Sequence, residues 1–166
     1  MNNFNGLFSA KDNNSNTGDL YLKFKLNQQT TALMSMNHTQ EAVILPVESV
    51  TAIPNMPPCV LGLMNWRSHI IWVIHLPTML DLESINIRCR QYNVIVINVK
   101  SVVLGLVVRE IIGISKLTPD KIHSPTGKVT TNLQPYLQGV FYQPEMWLVL
   151  DASSIINSPI LSSEKV

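Results

Sequence analysis

The sequence predicts an all-β domain with one or two short helices, and three observations carry that reading. Apolar and polar residues alternate with period 2 from Leu20 to Leu26, apart from Tyr21, the pattern of a half-buried strand. Two runs rich in β-branched residues, Tyr92 to Val99 and Val102 to Val108, are separated only by Lys100 and Ser101 and read as a hairpin. Short apolar segments recur at close spacing with turn residues between them, which favours a barrel or sandwich over an alternating α/β order.

Taken in order, residues 1–18 are rich in Asn and Ser and poor in aliphatics. They are expected to form a disordered tail, because such a composition cannot bury enough apolar area to offset the entropy of ordering. The folded domain is expected to span 19–157. After the first strand, Ala32 to Met36 and Ala42 to Val47 read as strands broken by the polar insert Asn37-His38-Thr39-Gln40. Pro54, Pro57 and Pro58 mark a turn. Pro58 suits the first turn of a short helix, where its missing N–H costs nothing, and Gly62 is placed to end that helix in a left-handed conformation.

His69 to Leu76 then reads as a strand buried on both faces through its middle. In the hairpin, Val96 is expected to face the core, with the Ile95 face as the alternative. Ile111 to Ile114 and Met146 to Leu150 add two short apolar segments, and Asp151 is placed to cap a helix that runs to Ile156. Residues 158–166 are expected to be a flexible tail. The sequence shows no internal repeat and no Gly/Ser linker within 20–157, so two subdomains, if present, must share a packed core.

The 166 residues are 46% hydrophobic and only 14% charged, with formal charge +1. That is low in charge for a soluble domain, and the surplus apolar surface points to contact faces for partners. Arg88 and Arg90 form the densest cationic run, far short of what phosphate-backbone binding needs, so no nucleic-acid partner is expected. Apolar runs such as Val102 to Val108 are too short to span a bilayer, and the first residues carry no secretion signal. A cytoplasmic location without membrane insertion is expected, with Cys59 and Cys89 as reduced thiols.

Catalytic signatures are missing. The sequence contains no GxxxxGK[ST], no GxGxxG, no GxSxG and no HExxH. His69 and His75 share a strand face but lie about 20 Å apart at 3.3 Å per residue, too far to ligate one metal. Asp81 and Glu83, the one close carboxylate pair, read as a solvated turn. Trp66, Trp72 and Trp147 are expected to pack in the core. Neither enzyme activity, metal nor cofactor is expected; the rival is a small-ligand-binding or hydrolytic β-barrel that uses Trp66, Trp72 and His75.

One stretch is distinctive. Ile53-Pro54-Asn55-Met56-Pro57-Pro58-Cys59-Val60-Leu61-Gly62-Leu63-Met64-Asn65-Trp66-Arg67 resembles the CheW family pattern of a Pro-containing turn, a short helix ending in Gly, and then Asn-x-Arg-Gly. Ile70 to Leu76 is similar to that family's apolar strand ending in Asp-Leu, and Val103 to Ile111 to its Gly-(Leu/Ile)-Val-Val-Asp-x-Val strand. Tyr136-Leu137-Gln138-Gly139-Val140 and Leu148-Val149-Leu150-Asp151 match its last two landmarks. The landmarks keep their order from about Leu20 to Ile156.

The resemblance implies two intertwined five-stranded β-barrels and a non-enzymatic adaptor between the regulatory domain of a CheA-type histidine kinase and the cytoplasmic tip of a chemoreceptor. It implies partner contacts at Glu41, Gly62, Asn65, Arg67, Gly105, Val108 and Ile111, with a bidentate Arg67–Glu41 bridge beside the receptor groove. Four positions depart from the pattern: Ser68 replaces glycine, Trp72 proline, and His75 and Arg109 each an aspartate. Together they imply a divergent or specialised member, with Trp72 resembling branches that serve phototaxis or pilus-driven motility.

Overall fold

Strands β1 (Asp19–Lys25), β2 (Thr31–Ser35), β3 (Thr39–Pro46), β4 (Val60–Trp66) and β5 (His69–His75) lead into a one-turn helix, α1 (Leu76–Met79). Then come β6 (Gln91–Val99), β7 (Val102–Val108), β8 (Glu110–Leu117), β9 (Leu137–Tyr142) and β10 (Met146–Leu150), closed by short helices α2 (Ala152–Ile156) and α3 (Pro159–Ser162). The structure, a computed structural model, describes residues 18–86, 88–142 and 144–162. Among them the strands form two five-stranded sheets, β8-β1-β2-β10-β9 and β3-β6-β7-β5-β4. The β2/β10 and β5/β7 pairs are parallel.

That order is an exchange between two halves of the chain. Each sheet takes the first two strands of one half and the last three of the other, so β1 to β5 correspond in turn to β6 to β10. The registers agree residue by residue. Glu41, Val96, Gly105, Val73 and Gly62 pair in one row across the second sheet. Gly113, Lys23, Leu33, Val149 and Gly139 form the matching row in the first. The bulges correspond as well, Gln40 with Ile112 and Leu61 with Gln138, each skipped by its ladder. The fold therefore repeats although the sequence does not.

Each sheet curls back on itself through one further bridge, Thr51 to Leu63 in the second sheet and His123 to Val140 in the first. Two barrels result, and three cores. Val43, Met64, Val73, Val94 and Val96 fill the second barrel. Tyr21, Leu33, Phe141 and Val149 fill the first. The largest cluster lies between the barrels and includes Phe24, Met34, Ile95, Ile97, Leu104 and Leu106. Period-2 alternation thus sends successive residues of one strand into two different cores. Both Ile95 and Val96 are fully buried, so the choice between their faces dissolves.

The hairpin turn at Lys100 and Ser101 has positive φ at both residues (50° and 69°), the twist that two-residue hairpins favour. Asp151 caps α2 as expected, its carboxylate accepting from the Ser153 N–H at 3.1 Å.

Three expectations need correction. The helix after Pro58 is absent; residues 60–66 are strand β4, because pairing with β5 and the bridge to Thr51 satisfies its backbone from both sides. The polar insert at 37–40 is shorter than expected, a 3-10 turn over Met36–His38, with β3 resuming at Thr39. Residues 158–162 are folded: Ser158 is buried and bonds the Tyr136 hydroxyl at 2.7 Å, and Leu161 packs into the central cluster. The expected N-terminal tail lies outside the described residues but for Gly18, and 163–166 lie outside them too.

Helix α1 escaped the sequence reading. Its cap is His75, which corresponds to Asp151 in the other half, with Pro77 following in the first turn. The ring Nδ1 accepts from the Thr78 N–H at 3.3 Å and, in this capped arrangement, from the Thr78 hydroxyl at 2.7 Å, whose oxygen lies 2.9 Å from the Glu83 carbonyl. Burial pushes the His75 pKa down; the Glu83 carboxylate opposes that shift. An acceptor at Nδ1 requires the neutral ring. Since the folded-state pKa lies below the unfolded one, near 6.5, the cap's contribution is complete above that pH and is lost as pH falls through the folded value. The expected loss is about 1 kcal/mol, the worth of a cap. Urea titrations from pH 8 to 5 should show it in the wild type and not in His75→Asp, which keeps a cap. Equal pH slopes in the two proteins would assign the titration to another group.

Candidate partner-binding site

The β4–β5 hairpin turns on two residues, Arg67 (φ 48°) and Ser68 (φ 65°), between the paired residues Trp66 and His69. Positive φ at both positions makes this a tight primed turn, one that suits glycine at position 68. A serine there costs about 1–2 kcal/mol of backbone strain. The turn nevertheless aims the Arg67 side chain back over the barrel mouth, where the guanidinium lies 4.7 Å from the centre of the Trp66 ring.

Glu41 faces the same mouth from β3. The bulge at Gln40 shifts the register so that Glu41 pairs with Val96 and its side chain stands at the top of the second barrel. Its carboxylate accepts from the Trp66 indole N–H at 2.8 Å, and the same oxygen, Oε2, lies 3.4 Å from Arg67 Nη2. The Glu41 side chain is only 8% exposed against 57% for Arg67. A buried carboxylate therefore anchors an exposed cation. At 3.4 Å the contact is longer than the roughly 2.7–2.9 Å of a charge-assisted hydrogen bond, so the expected bidentate clamp is replaced by an ion pair shared with an indole.

The other predicted positions separate into two groups. Asn65 pairs with Ile70 on the outer face of the same hairpin, and Ile70, 66% exposed, is a large apolar side chain open to solvent. Both lie within three residues of Arg67 along the chain, on the face of the hairpin opposite Trp66. Gly62, Gly105 and Val108 are buried, and Ile111 is half-buried against the central cluster. Gly105 points into the second barrel, where an added Cβ would lie 3.2 Å from Val94. Sequence reasoning missed Trp66 as a partner of Glu41. They lie 25 residues apart, and no local pattern links an acid on one strand to an indole on another.

Trp66, Trp72 and His75 do not converge. Trp66 covers the barrel mouth, Trp72 lines an apolar groove between the barrels with Val60, Leu104, Ile160 and Leu161, and His75 caps α1. Arg109 sits at the β7–β8 crossover. It holds Glu83 at 3.0 Å, while its main chain bonds Lys25 and the Asn93 side chain. Cys59 and Cys89 are both free, and burial pushes the Cys59 thiol up, away from reactivity. Among the described residues no three metal-ligating side chains gather, and no helix is long and apolar enough to cross a membrane.

The sequence profile of the CheW-like domain matches residues 20–159. The chain is 28% identical to Protein PilI of Pseudomonas aeruginosa over 105 residues, 63% of this chain and 58% of that protein, so it spans less than two thirds of that relative. It is 28% identical to Chemotaxis protein CheW of Treponema pallidum over 119 residues, 69% of this chain and 70% of that one. The crystal structure of scaffolding protein TtCheW from Thermoanaerobacter tengcongensis shares the fold, with a TM-score of 0.71 over 81% of this chain and 90% of that one at 20% identity.

Proposed function

Since the chain belongs to the CheW-like domain family, we propose that it is a non-enzymatic cytoplasmic scaffold that couples the regulatory domain of a CheA-type histidine kinase to chemoreceptor tips. Chemotaxis, phototaxis and pilus-driven motility are the settings this reading covers. The observation that carries it is the hairpin end of the second barrel. A rigid β framework holds Arg67 on a buried Glu41, with Ile70 and Asn65 exposed on the outer face of the same hairpin. A helix presenting an apolar stripe flanked by a polar or acidic edge fits such a surface: Ile70 takes the stripe, and Arg67 takes the edge.

The test is the affinity of purified protein for a receptor-tip helical hairpin and, separately, for the kinase regulatory domain. Arg67→Glu is expected to weaken tip binding at least tenfold, about 1.4 kcal/mol, with less than about 2 kcal/mol of stability lost because the side chain is exposed. Glu41→Gln is the gentler probe on the buried side and should weaken the tip likewise. The double swap Arg67→Glu with Glu41→Arg should recover part of the loss, as coupled neighbours do. Normal tip binding by both single variants, or a swap without coupling, would remove this hairpin from the interface.

A further inference from the structure

We propose that Trp66 is the positioning residue of this site, holding Glu41 and Arg67 in the one arrangement that a helical partner can read. The inference rests on the scaffold reading above and deepens it by naming what fixes the geometry. Two contacts of different chemistry meet on one side chain. The indole N–H bonds Glu41 Oε2 at 2.8 Å, and the indole ring lies under the Arg67 guanidinium at 4.7 Å. Glu41 is nearly buried, so its carboxylate needs a donor that is itself fixed. Trp66 is such a donor: it is half-buried against the packed interior of the second barrel. Arg67 is more than half exposed on a long flexible stem, and an exposed ion pair at 3.4 Å is too weak to hold it alone. The ring beneath it supplies a second, cation–π restraint. Remove the indole, and the acid and the cation lose their common reference point.

Trp66→Phe keeps an aromatic ring and deletes the N–H. Its affinity for the receptor-tip hairpin is expected to fall about tenfold, while affinity for the kinase regulatory domain stays within twofold and the melting temperature within a few degrees. Adding Trp66→Phe to Glu41→Ala should weaken tip binding no further, since the oxygen to which the indole N–H donates is already gone. Trp66→Leu, which also removes the ring, should be weaker still for the tip. If wild-type protein binds the tip and Trp66→Phe binds it equally well, the positioning role falls and the scaffold reading stands. A wild-type protein that does not bind the tip at all overturns both. Parallel losses of tip and kinase binding would show a general structural role and overturn the positioning role.

Discussion

Val96→Asp is expected to abolish soluble folded protein. Val96 is fully buried inside the second barrel and sits in register opposite Glu41 on the same face. The substitution would add a second carboxylate beside the first, with no basic group within that apolar cluster to meet it. Like charges facing across a strand pair destabilise it, and burying an unpaired charge costs several kcal/mol even after it neutralises. Together with the lost apolar burial, that approaches the roughly 5–15 kcal/mol of a whole domain's stability. Ile95→Asp should fail just as completely, because Ile95 is fully buried in the core between the barrels. The measurement is the soluble fraction on expression, followed by a thermal melt of any soluble protein. A cooperative melt from either variant would show that one face of β6 is wet.

Gly62→Ala should cost about 4 kcal/mol, lowering the melting temperature by roughly 8–16 °C at this chain length. Two effects combine there. The backbone is at φ 143°, a region that side chains rarely adopt, and an added Cβ would lie 2.0 Å from the Thr51 carbonyl oxygen. That oxygen accepts from the Leu63 N–H at 2.9 Å, and the Thr51 N–H donates to the Leu63 carbonyl at 2.8 Å, so the clash falls on the bonds that close the barrel. Gly139 holds the corresponding place in the first barrel, with the His123 carbonyl oxygen 2.5 Å from its would-be Cβ. Its backbone is not in that positive-φ region, so Gly139→Ala should cost less. Gly113, whose Cβ would meet nothing within 4 Å, is the control and should be neutral to within about 0.5 kcal/mol. An equal effect at all three positions would mean that barrel closure plays no part.

Much of the β architecture was legible because it is local. The alternation in β1, the paired runs of β6 and β7 around Lys100-Ser101, and Asp151 ahead of α2 each carry their signal within one segment or two adjacent ones. The segment 60–66 was misread for the opposite reason. Pro58 and Gly62 are helix punctuation by local rules, but here the glycine is required by a carbonyl eleven residues upstream that packs against it. Helix α1 was missed because a histidine is an uncommon cap.

The candidate site divides along the same line. Arg67 and Glu41 could be picked out by landmark resemblance, and the two-residue turn that aims Arg67 lies between adjacent strands. The burial of Glu41, its bond to Trp66 and the exposure of Ile70 were decided only when β3 and β4 were brought to opposite ends of one curled sheet. What the sequence by itself determined is most of the strands, all but β4 and β9, and the adaptor family it resembles, since periodicity and turn chemistry act over a few residues. Which strands join which barrel, and hence which side chains meet at its mouth, was decided by the tertiary structure. That choice depends on pairing between residues tens of positions apart, whose free energy appears only when both halves of the chain have exchanged strands.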